Sequence, residues 1–183
     1  MKPTVSSNDN ACFRTVVLPY LDDAYELARW LAGNRADAED IVQRACLRAF
    51  RSVGNFTEGD ARCRTMTIVR DTAYRWLQEN RPDALVHVAD LEGSGEASSD
   101  DPNDETSDPA LMAKENAEQL ETMIAALPVL FREAIVLRDI QGFSYREIAL
   151  VTGAPTRKVM SRLVGVRRRL LRVVATRESM ATP

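Results

Sequence analysis

One histidine and three cysteines in 183 residues leave little material for metal or nucleophile chemistry. His87 stands alone in a Gly/Ser/Asp-rich stretch, so neither a histidine-based metal cluster nor a triad can form within one chain. Cys12, Cys46 and Cys63 cannot all pair, and none has Cys-x-x-Cys spacing; they read as reduced, mostly buried small hydrophobes. No apolar run approaches the roughly 18–20 residues that span a bilayer, so membrane insertion is not expected. The opening MKPTVSSNDN lacks the apolar core of a secretory signal, and the expected location is cytoplasmic. Aromatic residues are only 6%, which favours helices over a β-sandwich. No nucleophile–base pair, phosphate loop or metal set is present, so no enzyme, no cofactor and no small-molecule substrate is expected.

What is present is charge, unevenly placed. The formal net charge of −3 comes from 24 basic and 27 acidic side chains and taken alone argues against nucleic acid. Its distribution reverses that reading. Residues 1–82 sum to +1, residues 83–126 to −11, and residues 127–183 to +7. An acidic middle conceals a strongly basic C-terminal segment.

Apolar periodicity predicts helices on both sides of that middle. From Cys12 to Gly33, Leu18, Leu21, Tyr25, Ala28 and Leu31 or Ala32 recur at three- and four-residue steps. Pro19 either begins a new helix there or kinks this one. A second helix is expected from an N-cap at Asp37, with Val42, Ala45, Cys46, Ala49, Phe50 and Val53 as its stripe and Ile41 beside it. After the loop GNFTEGD, a third helix runs from about Ala61 to Glu79, with Met66, Val69, Ala73, Trp76 and Leu77 on one side. Between Asp83 and Ala110 lie nine acids and no Lys or Arg, among many Gly, Ser and Pro, which reads as a flexible acidic linker. As a coil its 28 residues reach about 30 Å, and fully extended about 90–100 Å, against about 70 Å for two turns of DNA.

Helix signals resume at Asp108-Pro109. Leu120, Met123, Ile124 and Leu127 mark one face. A helix from Val129 to Ile140 follows, with Phe131, Ile135 and Val136 or Leu137 inward, and Gln141-Gly142 makes a turn. Ser144 and Glu147 form a capping box. Ala149, Gly153 and Val159 then have the spacing of a helix-turn-helix: a small residue at the crossing, a glycine to turn, an aliphatic anchor. Val159, Leu163, Val166 and Leu170 form the inward stripe, leaving Thr156, Arg157, Lys158, Ser161 and Arg162 outward, where a recognition helix meets DNA. Arg167, Arg168, Arg169 and Arg172 extend the basic surface. The plainer alternative is a helical bundle with a solvated arginine face; capping box, spacing and charge together favour DNA.

Two blocks carry a resemblance. The first is LPYLDDAYELARWLAGNRADAEDIVQRACLRAFRSV with TIVRDTAYRWL; the second is LPVLFREAIVLRDIQGFSYREIALVTGAP with VMSRLVGVRRRL. In this order around a variable linker, they resemble bacterial RNA polymerase sigma factors of the extracytoplasmic-function (ECF) group of the sigma-70 family. The resemblance implies an all-α fold of two small helical domains. Residues 1–82 would be a region 2-like domain, 83–110 the flexible acidic linker, and 111–183 a region 4-like domain containing the helix-turn-helix. The implied partners are core RNA polymerase, promoter DNA and an anti-sigma factor.

By position, the resemblance places Asp40, Ile41, Gln43, Leu47 and Arg48 on the surface that docks on core polymerase. It places Asn55, Phe56, Arg62, Arg70, Tyr74 and Trp76 where the −10 element is opened and a flipped base is captured. Thr156, Arg157, Lys158, Ser161 and Arg162 would read the −35 element. Plainer readings stand beside these: Trp76 and Tyr74 as core, Asp40 as a helix cap. The chain also departs from the family pattern. Arg44 replaces the usual acid after the glutamine, Arg64-Thr65 the usual Trp-Leu, Asp71 the usual Asn, and Arg157-Lys158 the usual Gly-Thr. The last change adds two charges toward DNA. Loss of the Trp-Leu pair thins the first module by about a few kcal/mol where those sites are buried. Two other functions compete with an initiation factor. A sigma-like decoy that occupies an anti-sigma factor would account for Arg44, Arg64 and Asp71, and a dimeric helix-turn-helix repressor for the C-terminal half alone.

Overall fold

A computed structural model describes residues 7–86 and 113–181, and within them the side chains of 9–85, apart from 55 and 58, and of 119–170. The described residues form helices α1 (Ser7–Val16), α2 (Leu21–Ala32), α3 (Arg35–Arg51), α4 (Ala61–Asn80) and α5 (Asp83–Val86) in the N-terminal half. The C-terminal half has α6 (Ala113–Ala125), α7 (Val129–Ile135), α8 (Tyr145–Thr152) and α9 (Thr156–Ala181). No strand occurs among these residues. The expected helix start at Asp108-Pro109, and all of the linker beyond Val86, lie outside the described residues.

Local chemistry sets the boundaries. Pro19 divides the first expected helix into α1 and α2, joined by a 3₁₀ turn at Leu18–Tyr20. Gly33 ends α2 at φ 82°, a left-handed conformation that a side chain would strain. The helix that follows starts three residues earlier than expected. Asn34, not Asp37, is its N-cap, accepting a hydrogen bond from the Asp37 backbone N–H at 2.9 Å. Asp37 sits in the first turn instead and receives the Arg81 guanidinium at 3.0 Å. Asp83–Val86, expected to open the linker, is one helical turn whose Ala84 and Leu85 lean on the core.

α2, α3 and α4 pack against one another. Leu27, Leu31, Met66, Val69 and Leu77 fill the space between them, and Ala28, Ala38, Ala45 and Ala73 leave room for close approach. Ile41, expected beside the stripe, is fully buried in this core. Cys46 and Phe50 are only half-buried, as are Cys12 and Cys63, so the cysteines are free but less enclosed than expected. Val16, Val17, Ala49, Val53 and Ala61 form a small second cluster under the α3–α4 loop.

In the C-terminal half Ile124 and Leu127 are buried as expected, whereas Leu120 is exposed. Ile135, Val136 and Leu137 are all inward, and α7 runs into a π-helical turn at Val136–Ile140. The Ser144–Glu147 capping box is formed in both directions. Gly153, at φ 66°, turns the chain between α8 and α9. On α9, Val159, Leu163 and Val166 face inward. Phe131, half-buried, lies against Gly165, where a Cβ would come within 3.2 Å of its ring. The two halves share one core, with α4 packed on α8 and α2 on α7.

Candidate nucleic-acid interface

The outer face of α3 is open. Gln43 and Leu47 are exposed, Leu47 by 61%. Asp40 caps nothing; it lies inside α3 and pairs with Arg44 at 2.8 Å, and Arg44 also reaches Glu79 at 3.8 Å. Arg48 turns inward and donates to the Thr72 hydroxyl at 2.7 Å. Ile41 contributes nothing to this surface, because the 100° step between neighbours on a helix carries it into the core.

The inner face of α4 is covered. The Arg70 guanidinium donates to the Glu133 carboxylate of α7 and lies 4.3 Å over the Tyr74 ring. Tyr74 donates its hydroxyl to the other oxygen of Glu133 at 3.2 Å. Arg62 bridges the halves a second time, bonding Asp23 at 3.0 Å and the Gln141 carbonyl at 2.7 Å, with Phe143 stacked 4.1 Å beneath it. Gln141 in turn donates to the Asp23 carbonyl at 2.7 Å. Glu133 is wholly buried, and burial pushes its carboxyl above the usual range while Arg70, Tyr74 and Arg162 pull the other way. Burial likewise pushes the Tyr74 hydroxyl well up. Trp76 is a core residue, 7% exposed, with Arg81 over its edge of the core.

The loop before α4 presents Phe56 half-buried against the small cluster, with the exposed Arg64 guanidinium 5.4 Å from its ring. Packing therefore accounts for part of Phe56. The Asn55 side chain lies outside the described residues. Thr65 is buried and its hydroxyl has no partner, so of the Arg64-Thr65 pair only the second thins the core.

At the start of α9, Thr156, Arg157 and Lys158 are fully outward. Ser161 and Arg162 are half-buried, and Arg162 lies near enough to Glu133 and Tyr74 to bias both. The five residues expected on one DNA-facing surface thus divide between three exposed side chains and two half-buried ones, of which Arg162 lies near Glu133 and Tyr74.

Glu133, Gln141, Asp23 and Arg132 escaped the reading of the sequence. Arg132 donates to the Trp30 carbonyl at 2.8 Å, another tie between halves. One signal was available: Glu133 lies four residues from both Val129 and Leu137, an acid on an inward stripe, where ionised side chains occur only when paired.

Two family models match, Sigma-70 region 2 over residues 16–82 and Sigma-70, region 4 over residues 117–170. The chain is 34% identical over 167 residues to the ECF RNA polymerase sigma factor SigE of Mycolicibacterium smegmatis, an alignment covering 90% of this chain and 62% of that protein. It therefore spans less than two thirds of that relative's length. With the ECF RNA polymerase sigma-E factor of Escherichia coli K12, identity is 32% over 172 residues, covering 89% and 86% respectively. Among solved structures, the sigma factor RpoE in complex with the anti-sigma factor NepR from Bartonella quintana matches with a TM-score of 0.64 at 23% identity, covering 89% of this chain and 96% of that one. CnrH in complex with the cytosolic domain of CnrY matches at 0.63 and 21%, covering 94% and 92%. These likenesses support the two-domain helical fold, and the sequence relatives settle the lineage: the chain belongs to the ECF group of the sigma-70 family of RNA polymerase sigma factors.

Proposed function

We propose that this chain directs core RNA polymerase to specific promoters in the cytoplasm and assists strand opening, with an anti-sigma factor as its regulatory partner. One observation supports this above the rest: the region 2 and region 4 family models both match within one chain, over residues 16–82 and 117–170. α3 would dock on core polymerase through Gln43 and Leu47, with Asp40 and Arg48 flanking. α4 and the loop before it would meet the −10 element through Arg62, Arg70, Tyr74, Phe56 and Asn55, while Trp76 holds the helix in place. Thr156, Arg157 and Lys158 would contact the −35 element first, and Ser161 and Arg162 follow once the halves part. Base–aromatic stacking of about 1–3 kcal/mol would help hold the opened strand. The protein performs no covalent step; polymerase adds nucleotides.

A reconstituted run-off transcription assay on promoter fragments tests this. Promoter-dependent transcript is expected, and its absence with a stably folded chain overturns the proposal. The decoy reading retains one specific observation, that Arg44 occupies Asp40 within the docking patch. Core polymerase pull-down separates the two. A decoy binds an anti-sigma factor but not core, and Arg44→Glu then restores core binding.

A further inference from the structure

The arginines of α4 have different surroundings. Arg62 and Arg70 are each bonded by the C-terminal half. Arg64 is not. It is exposed on the first turn of the helix, and among the described residues its guanidinium has one partner, the Phe56 ring at 5.4 Å. That first turn carries no acid and no side-chain cap, so nothing in it neutralises the charge. Phe56 is held in place. Its backbone N–H donates to the Val53 carbonyl at 3.0 Å, between 3₁₀ turns at Val53–Asn55 and Glu58–Asp60. Its half-buried ring leans on the cluster of Val16, Val17, Ala49, Val53 and Ala61, which leaves part of the ring accessible.

We propose that Arg64 and Phe56 together form a subsite for one nucleotide of the opened strand, Phe56 stacking on the base and Arg64 holding a phosphate beside it. This rests on the reading of the loop before α4 as part of the −10 face. To that reading it adds Arg64, a position at which this chain departs from the family pattern. A single strand presents a flat base and a charged phosphate within a few ångströms of each other, as the ring and the guanidinium are placed here. A guanidinium can hold a phosphate through two parallel hydrogen bonds, which an indole cannot. The change from Trp to Arg therefore exchanges a stacking surface for a charge. Capture of the strand by this chain then weakens with salt more steeply than stacking alone would make it. Among the described contacts neither side chain is bonded by the C-terminal half, so the subsite is open in the chain as folded.

Anisotropy of a fluorescein-labelled single-stranded DNA of mixed sequence, titrated with the full chain over a series of salt concentrations, tests this. The variants are Arg64→Gln, Arg64→Lys, Phe56→Leu and Arg35→Gln. The last removes an equal charge from an exposed position on α3, where Arg35 pairs with Glu39 at 2.9 Å. Arg64→Gln is expected to lower the slope of log affinity against log salt by about 0.7, the share of one phosphate contact on a single strand. Arg64→Lys and Arg35→Gln keep the wild-type slope. Phe56→Leu also keeps the slope and weakens binding about fivefold or more at every salt concentration. Circular dichroism reads helix content, and the Arg64 variants carry the test alone if Phe56→Leu loses it. Equal slopes for Arg64→Gln and Arg35→Gln overturn the phosphate contact. Undiminished binding by folded Phe56→Leu overturns the stacking. No binding by the wild-type chain at low salt overturns the open subsite, while run-off transcription reads the −10 assignment separately.

Discussion

The outer face of α3 and the inner face of α4 are built from the same kinds of side chain and end in opposite environments. α3 carries Arg35–Glu39 and Arg44–Asp40 pairs at 2.9 and 2.8 Å, one helical turn apart and in water. α4 carries Arg62, Arg70 and Tyr74, each bonded to a residue from the other half of the chain or to its neighbours there. Exposed pairs of the first kind contribute about 0–1 kcal/mol. Breaking a buried pair of the second kind costs several times more, because the survivor is stranded without water. Similar charges thus mark a surface left free on α3 and a surface already occupied on α4.

The largest expected effect comes from breaking the occupied face. Glu133→Ala leaves Arg70 facing a void and destabilises the closed chain by about 3–5 kcal/mol if the halves stay together. The loss is smaller where they part and Arg70 reaches water. Thermal unfolding followed by circular dichroism measures it. On the free face, Arg44→Ala is expected to change stability by no more than about 1 kcal/mol in the same assay. A comparable loss in both would erase the contrast.

Next in size is the support under the occupied face. Ser144→Ala removes the N-cap of α8, the helix against which α4 packs, and is expected to cost about 1 kcal/mol at neutral pH. The Ser144 hydroxyl and backbone N–H hold the Glu147 carboxyl below its usual value of 4.5. A depressed value means that Glu147 contributes its stability above pH 4.5 and loses it as the pH falls through the lowered value. The difference between wild type and Ser144→Ala should therefore be full at neutral pH and shrink below 4.5. Denaturant titration at several pH values reads the trend.

The smallest effect is a gain. Thr65→Val keeps the shape of a buried α4 side chain and removes a hydroxyl without a partner. An increase of up to about 1 kcal/mol is expected, since leaving such a group unsatisfied is what costs. A raised melting temperature checks it.

Much of the local structure was legible in the sequence. Periodicity located α4, α7 and the helix-turn-helix, and short-range chemistry located the Ser144–Glu147 box and the stops at Gly33 and Gly153. It went astray by small margins. Asn34 rather than Asp37 caps α3, since either side chain can accept a backbone N–H two or three residues further on and only the geometry of the turn chooses. Ile41 was read as surface although one helical step separates it from Val42, and both are inward. Leu120 was read as core and faces water.

By itself, the sequence determined helices on both sides of an acidic middle, a basic C-terminal segment and a lineage. These follow from interactions within three or four residues of each other, or from composition. Which face of α4 is covered, and by what, was decided only by the tertiary structure. Arg70 and Glu133 are 63 positions apart, and Gln141 and Asp23 are 118 apart. No local preference spans such separations. A carboxylate that pairs with arginine at that distance is fixed by how the two halves bury their shared core, and the same contact places Arg70 and Tyr74 against protein.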